Sequence, residues 1–464
     1  MKKIIYIILG ILLLNLQACD DYVDIEPRGN AIATSLEDVD LLLSDAQRLS
    51  LIQNNTIPSL ISDNIEIGED KLLLSESERD EVFIANIYNL RPVFYTPNIP
   101  DNLWNSYYMT IGTANHILEV LENLDTTNPL KEQYIGEAKV HRAYSYFQLV
   151  NIYGPHYGLP EADQPGSGVP ILKVFSDDSV PINRSSVNEV YNLILQDLND
   201  AITFLPEAIT TRDRPSKGSA YGLLADVQLH MGNYADALLN VDEALSLNNT
   251  LLDYNTDLGP FNSLPFTIEN SESLLYKGAS SVVSIFDNNT FQDITFSDYS
   301  DELVAMSDTD NDLRFLLVRQ DATTGKYFVP AFSFYEMGVA VPKLFLIKAE
   351  CLARTGNASE AMEVVNEFRS KRFDALFVAN GSHILTAAND AEAIAHIIDE
   401  RRREFHVTGE RFFDIKRLNA IENAGISLTR GSVTFTPNSI NWAVPLSENV
   451  IQTSNGQISQ NPRE

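Results

Sequence analysis

Seven histidines, His116, His141, His156, His230, His383, His396 and His406, are spread along the 464 residues. None forms a His-Glu-x-x-His unit or an i, i+4 pair, so no helix offers a zinc-type ligand set. A Gly-x-Ser-x-Gly elbow and a phosphate-cradling Walker loop are both missing. Asp308-x-Asp310-x-Asp312 starts like a calcium loop, but Leu313 and Arg319 stand where such a loop needs Gly and Glu. A solvated acidic turn is expected there, with no metal. Paired carboxylates of the glycoside-hydrolase kind meet only in a fold, and the sequence singles out no pair. These observations predict no enzyme and no cofactor. The remaining chemistry is recognition. Tyr88, Tyr95, Phe291, Phe296 and Tyr299 lie among polar neighbours, an arrangement suited to a stacking platform. Asp63, Asn64 and Asp298 are its candidate hydrogen-bonding groups. The competing reading is that these rings pin loops to a core.

Those residues fall in segments rich in Asn, Asp and Pro. One spans 53–102, and the longest spans about 249–330 and holds the polar-aromatic run 286–299. A third irregular stretch, 154–186, carries five prolines and ends in the capping box Ser186-Val187-Asn188-Glu189. Long ordered loops on a rigid scaffold are where binding usually resides. The scaffold is read from residues 219–248, whose apolar residues recur at three- and four-residue steps on two segments joined at Met231-Gly232-Asn233. This is a helical hairpin. Tyr221, Leu224, Ala225, Gly232, Ala237 and Ala244 sit at tetratricopeptide (TPR) offsets. A second copy spans 342–372, with Phe345, Ala349, Gly356, Ala361 and Phe368 at matching offsets and an Asn357/Glu360 capping box. A weaker pair is expected over 103–124 and 131–152, and one long helix over 391–418. Along that helix Arg401-Arg402-Arg403 alternates with Glu400, Glu404, Glu410 and Asp414, which predicts an ion-paired helix packed through Ile398, Phe405, Phe412 and Ile415. A first helix is expected from a capping box at Thr34–Glu37, and Trp104 is expected in the core.

At the N-terminus, Lys2 and Lys3 precede an apolar run over 4–14 and then Leu16-Gln17-Ala18-Cys19. The run is too short for an ordinary transmembrane helix and reads as a secretory signal. Leu-x-Ala-Cys is the lipobox pattern of bacterial lipoproteins, which makes Cys19 the expected lipidated N-terminus of the mature chain. The predicted organisation is a signal over 1–18, an acidic tether over 19–33 and one domain over 34–464. The formal net charge of −31 argues against nucleic acid and anionic lipid surfaces as partners. Cys351 is the other of the two cysteines, so no internal disulfide is expected and its thiol should be packed and inert.

Taken jointly, the motifs resemble the SusD/RagB family of surface-exposed outer-membrane lipoproteins. The resemblance is carried by the lipobox with Asp24-x-Glu26-Pro27-x-Gly29, by Leu103-Trp104-Asn105-x-x-Tyr108, and by Glu137-Ala138-Lys139-x-x-Arg142-Ala143-Tyr144. It continues through Arg184-Ser185-Ser186-Val187, the two hairpins, Glu400–Phe405, Gly409-Glu410-Arg411-x-x-Asp414-x-x-Arg417 and Trp442-x-Val444-Pro445-Leu446, to Gln460-Asn461-Pro462. It implies an all-α protein of about four dispersed TPR-like hairpins with loop-rich inserts. It also implies a lid on a SusC-like TonB-dependent transporter, binding oligosaccharides, or in some members peptides, without catalysis. Asp20-Asp21 resembles the signal that exports such lipoproteins to the outer face. These are scaffold motifs and leave the ligand open. A TPR-type adaptor holding another protein is the alternative class.

Overall fold

The computed structural model describes residues 33–52, 56–77, 82–97, 99–173, 182–259, 269–280, 284–287, 292–295, 298–328, 334–406 and 408–464. Cys19, Phe291 and Phe296 lie outside the described residues. The scaffold helices are α1 (Asn102–Asn123), α2 (Leu130–Tyr153), α3 (Val187–Phe204), α4 (Lys217–Met231), α5 (Tyr234–Leu247), α6 (Val341–Arg354), α7 (Ala358–Ser370), α8 (Asp390–Glu404) and α9 (Glu410–Glu422). Each of α1 to α6 packs on the next, and α6 then packs on both α7 and α8. This is the stacked TPR-like helical fold that the hairpins predict. No described helix is long and apolar enough to cross a membrane.

Local chemistry sets the helix ends. The Ser186 hydroxyl accepts from Glu189 N at 3.2 Å, while the Glu189 carboxylate accepts from Ser186 N at 2.7 Å, forming the expected capping box of α3. Gly232 ends α4 at φ 79°, a left-handed conformation that permits the immediate turn into α5. Ala225, Ala237 and Ala244 are fully buried where α4 and α5 meet. Two caps differ from expectation. Ser35 with Asp38, one residue later than predicted, caps the helix Leu36–Leu43. Asn357 makes no side-chain cap for α7; instead the Asp390 carboxylate accepts from Ala358 N at 3.2 Å.

The long helix expected over 391–418 is two helices. Gly409, at φ 84°, starts α9 after a break that follows Glu404. The continuous helical pattern misleads because its arginines face inward and not to solvent. Phe412 and Ile415 are buried as expected, whereas Ile398 and Phe405 are only partly buried and Ile397 holds the core position. Trp104 is a core residue, its ring 4.8 Å from Tyr108 and 5.0 Å from Tyr153. Cys351 is buried, and burial, with the Glu350 charge beside it, pushes its thiol up to about 12.

The first and third inserts add short strands that the sequence reading did not specify. Four of these form one small sheet in the order β1 (Ile65–Glu66), β2 (Asp298–Tyr299), β4 (Tyr327–Phe328) and β3 (Arg319–Gln320).

Candidate functional site

The four-stranded sheet brings the first insert onto the third. Antiparallel pairing sets Ile65 opposite Tyr299 and Glu66 opposite Asp298. One turn earlier, Ser300 N donates to Asn64 O at 2.9 Å and the Ser300 hydroxyl donates to Asp63 O at 2.7 Å. The Asp63 carboxylate accepts two bonds from Arg411, Nε and Nη2, both at 2.7 Å. Burial alone would raise its pKa, but the Arg411 hydrogen bonds and the charges of Arg411 and Arg402 hold it below the usual carboxylate value. Asn64 is fully buried. Its Oδ1 accepts from Arg402 Nε at 3.1 Å, while its Nδ2 finds no hydrogen-bond partner among the described residues.

Two of the expected aromatic residues, Tyr88 and Tyr299, are placed inside this edge. Tyr88 is buried, accepts from Ile67 N at 3.2 Å through its hydroxyl, and lies under the Arg430 guanidinium at 4.5 Å. Arg430 in turn donates to Ser62 O at 2.7 Å and Ile65 O at 3.1 Å. Tyr299 is 3% exposed, its ring centre 4.9 Å from His406 and 6.3 Å from Phe315. Tyr95 is elsewhere. It is buried, stacks on Phe83 at 5.6 Å, and is pushed well above its ordinary pKa by burial and by the nearby Asp101 carboxylate. The structure therefore gathers Asp63, Asn64, Tyr88, Asp298 and Tyr299 at one edge and leaves Tyr95 apart. These tyrosine rings act as packing, while the polar members support the sheet.

Groups that the sequence reading did not name form the exposed rim. Lys326 Nζ sits 3.1 Å from a Glu66 oxygen and 2.5 Å from an Asp301 oxygen, and Lys71 Nζ lies 3.1 Å from Asp298. Glu302 reaches back to Arg402 Nη1 at 2.8 Å. Tyr327 and Phe328 are partly exposed on β4, and Arg319 and Gln320 on the outer strand are exposed. The rim offers carboxylates, ammonium groups and partly exposed rings, which suits hydrogen bonding to hydroxyls and stacking on apolar faces. The usable sequence signal was the acid and basic content of 298–328, not its central aromatics. Among the described residues no cluster of three or more metal-ligating side chains occurs. In the Asp308 turn, the Asp308 carboxylate accepts from Asp310 N and Asn311 N, and Asp312 is engaged by Arg314.

A separate cleft of about 470 Å³ lies among the loop after α2, the end of α9 and the C-terminal segment. Its walls include Pro155, Pro160, Pro437, Ile440 and Trp442, with Arg184 and Lys416 among the polar lining groups. None of the residues expected from sequence lines it. The signals were present as the proline-rich 154–186 stretch, expected as a loop insert but given no candidate ligand residue, and as the Trp442–Pro462 motif, expected as scaffold.

Residues 54–229 match the family model described as starch-binding, associating with outer membrane, and residues 343–463 match that of the SusD family. This chain belongs to the SusD/RagB family. It is 23% identical over 424 residues to SusD-like protein P38 of Formosa agariphila, covering 78% of this chain and 80% of that protein. A SusD-like protein of Bacteroides ovatus is 24% identical over 236 residues, or 49% of this chain and 39% of that protein. Among solved structures, a SusD superfamily protein from Bacteroides thetaiotaomicron superposes with a TM-score of 0.73 at 18% identity, covering 92% of this chain and 100% of that one. A SusD-like carbohydrate-binding protein from Bacteroides vulgatus gives 0.66 at 16%, covering 93% and 99%. At such identities the structural likeness establishes a SusD fold.

Proposed function

We propose that this SusD-like chain is a cell-surface lipoprotein, anchored through Cys19, that captures glycans and passes them to a SusC-like TonB-dependent transporter. The observation that carries the reading is the joining of two distant inserts into the β1–β4 sheet on a helical scaffold. That arrangement gives a polar rim with partly exposed rings on a rigid support, the composition expected for sugars, which present apolar ring faces edged by hydroxyls. Family membership supports the reading, and the carbohydrate-binding neighbour adds to it. Asp63, Asn64, Tyr88, Asp298 and Tyr299 then serve as the support of the ligand face, with Glu66, Asp301, Lys326 and Tyr327 at its surface. Tyr95 lies apart from that support, stacked on Phe83. Phe291 and Phe296 belong to the same insert. Binding proceeds without turnover, and the 34–464 segment acts as one domain.

Titration calorimetry of the purified mature protein against a panel of neutral oligosaccharides and peptides tests this. Glycan binding, weakened by Tyr327→Ala and with the ligand recovered unchanged, is the expected outcome. Binding of peptides alone transfers the site to peptide capture. Binding of neither, together with retention of a protein partner other than a barrel transporter, favours the TPR-type adaptor.

A further inference from the structure

The cleft between the loop after α2 and the C-terminal segment differs electrostatically from much of the interior, although Lys277 is another buried cation held on a carbonyl, that of Leu49. The chain carries a formal charge of −31, and several fully buried guanidinium groups elsewhere rest on carboxylates. Arg372 lies on Glu272 and Glu404, Arg401 on Asp414, and Arg417 on Glu350 and Asp414. The cations lining the cleft rest on carbonyls. Lys416 Nζ donates to Asn151 O and, at 2.9 Å, to Gly154 O. Arg184 donates to Gly168 O at 2.7 Å, Ser459 O at 3.1 Å, and Tyr153 O and Ser167 O at 3.2 Å each. Carbonyl dipoles orient these cations but leave their charge unneutralised. Arg463, next to the lining residue Pro462, is similar: its Nη1 donates to Asn441 O at 3.0 Å, and its Nε and Nη2 have no hydrogen-bond partner among the described residues.

Opposing charge is sparse and peripheral. Among the described residues Glu161 is the one carboxylate in the lining, and it is exposed. The Glu464 side chain reaches the wall through Ser439, whose hydroxyl donates to it at 3.0 Å. Burial, with no carboxylate to offset it, pulls the Lys416 ammonium down to about 7. An anion placed in the cleft would stabilise that charged form. The volume of about 470 Å³ falls within the ~300–1,000 Å³ range of small-molecule sites. The proline and Trp442 walls offer flat apolar faces, and the exposed amides of Gln164 and Asn438 lie among the lining groups.

We propose that this cleft is a binding site for an anionic sugar residue, with its carboxylate or sulfate held in the field of Arg184 and Lys416 and its ring packed against the proline and Trp442 walls. The inference rests on the glycan-binding reading above and adds the charge class and a second locus. Glu161 and Ile440 tune the site from its edge, one by opposing an anion and the other by covering it.

The test is calorimetry with tetragalacturonate, a sulfated galactan oligosaccharide and uncharged oligosaccharides of matched length. The proteins are the parent, Glu161→Gln and Ile440→Asp, both changed at exposed positions, with Lys416→Met as a third variant checked by circular dichroism. Anionic ligands should bind more tightly than neutral ones and weaken as salt rises. Ile440→Asp should lower their affinity roughly two- to fivefold and Glu161→Gln should raise it by a similar factor, the scale of exposed charge pairs. Neutral-glycan affinity should not move. The carboxylate and sulfate probes identify which anion the cleft accepts. Neutral ligands bound as tightly as anionic ones, or anionic binding indifferent to both edge variants, overturns this inference and leaves glycan capture standing. Binding of no glycan of either class overturns both.

Discussion

Replacing Glu350 by Gln tests whether buried charge holds the helical scaffold together. Glu350 on α6 is 0% exposed. Its two oxygens accept from Arg417 Nη1 at 2.6 Å and Nη2 at 2.7 Å, and Arg354 Nε donates to it at 2.9 Å. Arg417 also donates to Asp414 at 2.9 Å, and Asp414 accepts from Arg401 Nε and Nη2 at 3.0 Å. One chain of charges thus links α6, α9 and α8. Burial would raise the Glu350 pKa, yet Arg417, then Arg354 and Arg401, more than offset this and hold it at about 2, below its ordinary 4.5. At ~1.4 kcal/mol per unit, that depression corresponds to about 3 kcal/mol of stability at neutral pH. A carboxylate lowered in the folded state contributes fully above the unfolded value and loses its contribution as pH falls through the folded one.

Glu350→Gln keeps the shape and removes the charge, leaving Arg417 and Arg354 underpaired in the interior, so a cost of ~3–5 kcal/mol is expected. For a chain of this length roughly 1 kcal/mol moves the melting temperature by about 1 °C, so scanning calorimetry at pH 7 should record a drop of about 3–5 °C. The gap from the parent should close as pH is lowered from about 4.5 towards 2. Glu207→Gln is the control. Glu207 is 72% exposed and 3.8 Å from Lys217, and its loss should cost less than ~1 kcal/mol. Equal shifts for the two variants, or a gap that widens in acid, would refute the reasoning.

Ala237→Leu forces a larger side chain into the fully buried contact between α5 and α4 and should cost about 1–3 kcal/mol by calorimetry. Tyr299→Ala removes a ring that is 3% exposed and should cost about 3–5 kcal/mol; Tyr299→Phe should melt much closer to the parent. Cys19→Ala should move the mature protein from membrane to soluble fractions on cell fractionation. In mild detergent at native expression, the parent should copurify with a barrel transporter encoded by the same cell.

The hairpins were legible because their packing is local. Small residues at 225, 237 and 244 and a turn glycine at 232 fall at fixed offsets within one helix pair, and no distant segment alters what they mean. The break between α8 and α9 was not legible for the opposite reason. Arg401, Arg402, Glu404, Glu410 and Asp414 alternate as they would on a solvated helix, but each is buried or nearly so against another element. Charge spacing predicts pairs along one helix, whereas the pairs made here cross between helices and into loops. Arg403 with Glu400 and Arg417 with Asp414, each at 2.9 Å, are the pairs here that follow the helical i, i+3 spacing.

The candidate site was legible in part for the same physical reason. Asp63 and Asn64 look like free loop residues in sequence, but their side chains are taken by Arg411 and Arg402 from the two helices of that charged run. Arg430 fixes the adjoining carbonyls of Ser62 and Ile65 and covers Tyr88. The arginines that look like a surface stripe therefore anchor the first insert, and β1 then templates β2 of the third insert. Rings flanked by polar residues suit either a stacking platform or the pinning of loops to a core; once those polar neighbours bond inward, Tyr88 and Tyr299 are carried into the packing. Asp301 at the rim and Tyr327 on β4 are not tied to the scaffold arginines in this way and are the residues proposed to meet the ligand. In the proposed reading, the scaffold arginines hold the first insert while rim residues contact the ligand. Substitutions at Arg402 or Arg411 should then disturb the ligand face and the stability of the fold together, whereas substitutions at Asp301 or Tyr327 should separate the two.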